Sequence, residues 1–176
     1  GIDTDNSTTG KALAYTLGAL SGDGHISLNK NNTSIHITIS GQDYEVAYKV
    51  KEVLDNICKS PCEICSHPKF NGFHISKSDT NLFKLLSEKY PELIGLSYEK
   101  KVPETILKSN LEDQAYYIAG LFDTDGSNVT GKREFSFSTV CKENARRIQV
   151  MLLRLGIPST LKPKKTSCKG KRGITY

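Results

Sequence analysis

Two aspartates, each followed by a glycine, close two similar segments of this 176-residue chain. Laying Leu13 to Gly24 over Ala115 to Gly126 pairs Tyr15 with Tyr117, Gly18 with Gly120, Asp23 with Asp125 and Gly24 with Gly126, all at an offset of 102. The first segment reads as a helix, because Leu13, Leu17 and Leu20 recur at helical spacing with small residues between them. Two helices with glycine at matching positions can pack backbone to backbone and end at one level, each delivering a carboxylate. Carboxylates gathered at one point repel unless a cation bridges them, and Mg²⁺, a hard oxygen-seeking ion, is the natural occupant. Beside a phosphodiester, that arrangement performs metal-assisted hydrolysis. Asp-Gly is also a common turn dipeptide, so a single copy would mean only a turn. The reading rests on the doubling.

The elements that must position these acids also repeat. After a helix over 9–22, the first half predicts a strand over 25–29, a polar turn at 29–32 and a strand over 34–40. In that second strand Ile35, Ile37 and Ile39 alternate with Ser34, His36, Thr38 and Ser40, the pattern of a sheet with one buried face. Ser40 to Asp43 reads as a capping box opening a helix to Asn56. Strands follow at about 62–66 and 72–77, then Ser78-Asp79 caps a helix to Lys89. In the second half, Glu143 to Ile157 overlays Asp43 to Ile57 at an offset of 100, aligning Val50 with Val150 and Gln42 with Lys142. Gly173 to Tyr176 resembles Gly72 to Ile75 at 101. The drift across three blocks is two residues, which marks a duplicated unit. The chain therefore divides into a first half over 1–90, a linker over 91–112 with a short helix at Glu104 to Lys108, and a second half over 113–176. The repeat leads us to expect about twenty further residues, the rest of a strand and a closing helix, beyond Tyr176.

Composition narrows the class. A hydrophobic content of 37% fits a globular protein rather than a disordered one. No apolar run approaches the ~20 residues of a membrane span, and the polar first ten residues, beginning with Gly1 rather than Met, show no leader. Five cysteines, an odd number, argue against a disulfide framework and for a reducing, intracellular setting. Cys58, Cys62, Cys65 and His67 lie close in sequence, so zinc must be weighed against buried reduced thiols; a strand over 61–66 would point residues three apart to opposite faces. The net charge of +5 permits a polyanionic partner without requiring one. Lys162, Lys164, Lys165, Lys169, Lys171 and Arg172 crowd the end of the chain, as a solvated tail or as phosphate contacts.

Ile118-Ala-Gly-Leu-Phe-Asp-Thr-Asp-Gly126 closely resembles the motif that names the LAGLIDADG homing endonucleases, and Thr16-Leu-Gly-Ala-Leu-Ser-Gly-Asp-Gly24 is a looser copy. The doubled layout is similar to the single-chain, two-motif members of that family. The resemblance implies an α+β fold of two pseudo-symmetric αββαββα halves, with the motif helices packed at the centre and a saddle-shaped sheet on DNA. It also implies a monomer that cuts both strands of double-stranded DNA at a long site, using two or more Mg²⁺ ions shared between the acids. By the same resemblance Asp23 and Asp125 are the metal ligands, helped by the carbonyls of Gly22 and Thr124. The sixth motif position is Ser21 in one copy and Asp123 in the other. Gln42, Lys142 and Lys77 are candidates to orient water and balance charge near the metals. DNA contacts are expected from His25, Ser27, Asn29, Lys30, Ser34, His36, Thr38 and Ser40 in the first half. In the second they are expected from Asn128, Thr130, Lys132, Arg133, Glu134, Ser136 and Ser138, interleaved with buried Phe135 and Phe137, together with Lys162, Lys164 and Lys165. His74 should also face the groove. A non-cleaving regulator or an RNA maturase on the same scaffold is the alternative, and intact acids in both motifs argue against it.

Overall fold

Helix α1 (Ser7–Gly22) and helix α5 (Leu111–Asp125) cross at the centre of the molecule with their backbones in contact. A Cβ on Gly18 would stand 2.0 Å from the carbonyl oxygen of Tyr117, and one on Gly120 would stand 2.0 Å from that of Tyr15. No side chain fits at either position. Ala14 through Leu20 are all buried, so α1 is an interior helix without a wet face over that stretch. The structure, a computed structural model, describes residues 7–28, 35–69, 71–128, 131, 134–168 and 171–176; the side chains of 7–9, 28, 35–37, 167–168 and 171–172 lie outside that description.

The first half builds one four-stranded antiparallel sheet from β1 (His25–Leu28), β2 (Ile35–Gly41), β3 (Ile64–Ser66) and β4 (Phe73–Asp79), in the order β1-β2-β4-β3. Ile26, Ile39, Phe73 and Ile75 fill the face turned to the helices, and Thr38, Ser40, His74 and Ser76 occupy the other. Helix α2 (Tyr44–Ile57) covers the apolar face with Val46, Ala47, Val50, Val53 and Leu54. Its cap is Asp43, whose carboxylate accepts from the Glu45 amide at 2.9 Å. The expected capping role of Ser40 is thus not realised: its hydroxyl pairs with His74 Nδ1 across the sheet at 2.8 Å. Asp79 does cap α3 (Thr80–Lys89), accepting from the amides of Asn81 and Leu82.

A single 3-10 turn at Pro91–Leu93 and helix α4 (Glu104–Lys108) form the link, the latter with the bounds the sequence predicts. Asn110 caps α5 through the Asp113 amide, so the second motif helix starts at Leu111, two residues before the expected boundary. The link is tied to α6 (Lys142–Arg154): Val102 N–H donates to Asn144 at 2.9 Å and Arg147 donates to the Val102 carbonyl at 2.7 Å.

The second half departs from the expected register. Helix α6 buries Asn144, Ala145, Ile148 and Met151, where α2 buries Val46, Ala47, Val50 and Val53, and the caps are Cys141 and Asp43. Both comparisons give an offset of 98, not 100. Val150, expected to match fully buried Val50, is 51% exposed. Lys142 is therefore the counterpart of Tyr44 rather than of Gln42. The rings agree: Tyr44 packs on Phe73, and the Lys142 ammonium lies 5.7 Å from the centre of the Tyr176 ring.

Among the described residues, the strands of the second half form two hairpins, β5 (Ser127–Asn128) with β6 (Phe135–Ser136) and β7 (Lys164–Cys168) with β8 (Lys171–Thr175). Thr139 and Tyr176 exchange both backbone hydrogen bonds, at 3.0 and 2.8 Å, joining the hairpins where β2 and β4 pair in the first half. Lys164, Lys165 and Lys171 thus stand on paired strands, not in a tail. Phe137 packs against Phe122 as expected, but Phe135 is 75% exposed rather than buried. It pairs with exposed Asn128 at the far end of the hairpin, clear of the core.

Candidate functional site

Both motif helices end in an Asp-Gly pair, and the geometry gives the glycines a role beyond turning. A Cβ on Gly24 would stand 2.3 Å from the Leu20 carbonyl oxygen, and one on Gly126 would stand 2.5 Å from that of Phe122. The chain folds tightly over the last helical turn in both copies and so fixes the direction of the preceding aspartate. The two helix ends adjoin, since a Cβ on Gly22 would lie 2.3 Å from Thr124 Oγ1 and 3.1 Å from Asp125 Cβ. Asp23 and Asp125 line one cavity of about 410 Å³ together with Gly22, His25, Lys100, Ser138, Thr139 and Asn144.

The electrostatics are those of a site built for a cation. Burial, and then the charge of Asp23, push the Asp125 carboxyl up to about 6. Burial also raises Asp23. Neighbouring carboxylates are costly without positive charge, and an all-oxygen donor set suits a hard divalent ion. Asp23 and Asp125, with Gly22 on the same cavity wall, therefore fit a metal of the Mg²⁺ class, while Thr124 lines the neighbouring cavity.

Tyr15 reaches across the helix pair and donates to Asp123 Oδ2 at 2.7 Å. The equivalent pairing in the other direction would join Tyr117 to Ser21. Both hydroxyls are buried, and neither completes a hydrogen bond. The shorter serine accounts for the difference. Position six thus ties the opposite helix through Asp123 in one direction and makes no such tie through Ser21 in the other.

The charge-balancing candidates fare differently. Gln42 lines a second cavity of about 570 Å³ with Asp23, Asp123 and Thr124, so it stands beside the acids. Lys77 does not. Its ammonium donates to the Ser60 carbonyl, the Ser60 hydroxyl and the Pro61 carbonyl at 2.7 to 2.9 Å, because its position on β4 faces the α2–β3 loop. Lys142 lines neither cavity, for the register reason given above.

A lysine that does line the acids' cavity is Lys100, which sequence reasoning missed. It comes from the link, is only 8% exposed, and donates to the Gly24 carbonyl at 2.5 Å. Burial lowers its pKa. Its one sequence signal is the Lys100-Lys101-Val102-Pro103 run, where a charged pair directly precedes apolar residues that prove buried.

The expected nucleic-acid contacts divide into three groups. His25 opens the acid-lined cavity, and Ser138 sits on its wall in the second half. Thr38 and Ser40 lie on the polar face of the first sheet, in register with Ser76 and His74, which extend the row the sequence placed on two strands. Ser27, on β1, pairs with position 36 of β2. Asn128, Glu134, Lys162, Lys164 and Lys165 are exposed, and Ser136 shares a hydroxyl contact with Ser127 at 2.8 Å. Asn29, Lys30, Ser34, Thr130, Lys132 and Arg133, with the side chain of His36, lie outside the described residues.

Comparison with known proteins agrees with this geometry. Residues 112–176 match the family described as "LAGLIDADG-like domain". The crystal structure of I-DmoI in complex with DNA and Mn superposes with a TM-score of 0.65 at 17% identity, over 96% of this chain and 89% of that one. The N-terminal LAGLIDADG domain of DUF199/WhiA superposes with a TM-score of 0.57 at 10% identity, over 98% of this chain and 77% of that one. In sequence, the chain is 29% identical over 168 residues to the ribonucleoside-diphosphate reductase NrdEB subunit alpha of Bacillus subtilis, covering 85% of this chain and 15% of that protein. It is 32% identical over 83 residues to the ATP-dependent DNA helicase Hel308 of Methanocaldococcus jannaschii, covering 47% of this chain and 7% of that protein. The chain thus spans a small fraction of the relatives it matches. Residues 112–176 are thus similar to the LAGLIDADG-like family, and the chain as a whole shares the fold of I-DmoI.

Proposed function

We propose that this chain, with its LAGLIDADG fold and two motif acids, is a divalent-metal-dependent endonuclease that cuts both strands of DNA at a specific site. The pairing of Asp23 with Asp125 in one cavity carries the reading. A protein that only binds DNA gains nothing from crowding two carboxylates beside phosphate, where each repels the backbone. I-DmoI, whose fold this chain shares, is described in complex with DNA and Mn, and also with Ca, which supports a divalent ion. Mg²⁺ is the ion we favour. When bound, it would stabilise charge at the phosphate and supply a deprotonated water.

The chain's own residues have distinct tasks in this reading. Asp23 and Asp125, with the Gly22 and Thr124 carbonyls, hold the ion. Gln42, at the Asp23 side, orients water. Lys100, buried and cationic, offsets negative charge as the phosphodiester reacts. The polar face of the first sheet, the second hairpins and Lys162, Lys164 and Lys165 grip the duplex, phosphate contacts setting register and strand side chains reading base edges. We infer a monomer, since both acids come from one chain. The shared segment is a small part of a reductase subunit and of a helicase, whose named activities have nothing in common. That supports a module with its own activity, carried within host proteins.

The test is cleavage of a plasmid library with and without Mg²⁺, for the wild type and for Asp23→Asn and Asp125→Asn. We expect metal-dependent double-strand cuts at one sequence, a rate at least about a hundredfold lower in either variant, and retained binding. Specific binding without cleavage by the wild type in Mg²⁺ and in Mn²⁺ would replace the nuclease with a DNA-binding regulator.

A further inference from the structure

The loop Cys58-Lys59-Ser60-Pro61-Cys62 joins α2 to β3 on the side of the first sheet away from its polar face, and it is held at every residue. The Cys58 amide donates to the Leu54 carbonyl at 2.8 Å and the Lys59 amide to Asp79 at 2.9 Å. Lys77 gathers the Ser60 and Pro61 carbonyls. The Cys62 amide donates to Asp55 and its carbonyl accepts from Lys51, both at 2.6 Å. The contacts to Asp55 and Lys51 turn Cys62 back onto the last turns of α2, beside Cys58 at the helix end, and the two thiols shift each other, Cys58 upward and Cys62 downward. Cys62 is 2% exposed, whereas Cys58 is half-buried and open to small molecules. Cys65, three residues on, is exposed and stands opposite His74 on the other face of the sheet. The sequence cluster that raised the question of zinc is therefore split between two faces, and only one thiol pair remains.

We infer that Cys58 and Cys62 are an oxidative modification site, which a hydroperoxide converts to a reversible intramolecular disulfide. The adjoining Cys58 thiol lowers the Cys62 thiol, and the Lys77 and Lys51 ammonium groups add to that bias against burial and Asp55. A proton passed from Cys58 to Cys62 leaves a thiolate on Cys58, the sulfur open to peroxide. That sulfur attacks the peroxide, the O–O bond breaks, and the leaving oxygen takes a proton to give an alcohol, or water from hydrogen peroxide. The second sulfur attacks the sulfenic acid, the S–O bond breaks, and water leaves. Two thiols and one hydroperoxide become one disulfide, one alcohol and one water. The sulfurs lose two electrons and the peroxide gains them, and a dithiol reverses the change.

The experiment treats the full chain with hydrogen peroxide, blocks free thiols, digests without reduction and maps the peptides by mass. Lys59 lies between the cysteines, so trypsin separates them unless they are bonded. We expect Cys58 and Cys62 peptides to be linked with a loss of about 2 Da, the link to vanish with dithiothreitol and in Cys58→Ser, and to persist in Cys65→Ser. Melting of the oxidised chain should rise by a few degrees, about what closing a small loop gives. Peroxide that only adds oxygen to single cysteines, or joins Cys65 in preference, overturns the inference. The wild-type map decides the matter even if Cys62→Ser does not fold.

Discussion

At the scale of single residues, Lys100 and Asp79 show how burial and charge are put to different uses. Lys100 brings an ammonium under the acids with a backbone carbonyl as its hydrogen-bond acceptor. Replacing it with methionine keeps the stem and removes the charge. We expect Lys100→Met to slow cleavage by at least about tenfold to a hundredfold, the range typical of one positioned charged group, while a filter-binding or anisotropy assay shows affinity within about twofold. Asp79 is 6% exposed and works structurally. Burial alone would raise its carboxyl, but amides of Leu82, Lys59 and Asn81 outweigh burial and hold it below the usual carboxylate range. Its folded pKa is depressed, so its stabilisation is present above the unfolded value of about 3.9 and is lost as pH falls through the lower folded value. Asp79→Ala should cost about 1–2 kcal/mol near neutral pH, the upper part of the capping range. That deficit should shrink in denaturant melts run toward pH 3.

At the scale of elements, the contact between α1 and α5 decides stability. Alanine is a better helix former than glycine by up to about 1 kcal/mol. Here that gain loses, because the new methyl would meet a carbonyl oxygen at 2.0 Å. The helices would have to separate, and overpacking of this kind costs about 1–3 kcal/mol or more. Gly18→Ala and Gly120→Ala should each lower the melting temperature by about 4–10 °C in calorimetry, and should lose cleavage at temperatures where the chain remains folded. Ser21→Asp tests the same interface in the other direction. If it supplies Tyr117 with the partner that Asp123 gives Tyr15, stability holds or rises; otherwise a new buried charge lowers it. The helix contact, the α4 bounds and the Asp79 cap could all be read in the sequence, because each depends on local spacing or on residues only one conformation tolerates. The two-residue slip of α6 could not. Val150 and Ile148 are equally apolar, and only packing decides which faces inward. Ser40 failed as a cap for a similar reason: a partner on another strand, His74, claimed its hydroxyl.

At the scale of the whole molecule, the charge is spread for contact with a long polyanion. Lys164 and Lys165 stand exposed on β7, in the half opposite the four-stranded sheet. Each phosphate contact adds about 0.9 to the slope of log affinity against log salt. Lys164→Ala with Lys165→Ala should therefore reduce that slope by about 2 and weaken binding alike on target and unrelated DNA. A change confined to the target would make these lysines readers of sequence. Lys100 eluded the sequence for a reason that belongs to this scale too. It approaches the acids from the link between halves, and no repeat can reveal a residue that occurs once.

The shortened register of the second half has a consequence of its own. Asp23 and the cap of α2 at Asp43 are 20 positions apart, whereas Asp125 and the cap of α6 at Cys141 are 16 apart. The acids nevertheless keep matching places, because their alignment is set by the crossed helices and not by the strands that follow. Insertions and deletions in those strands move what the protein touches without moving what it does. Under the proposed function, address and chemistry would then rest on separate parts of each half, and a change in one half's strands would leave the other half's contacts in place.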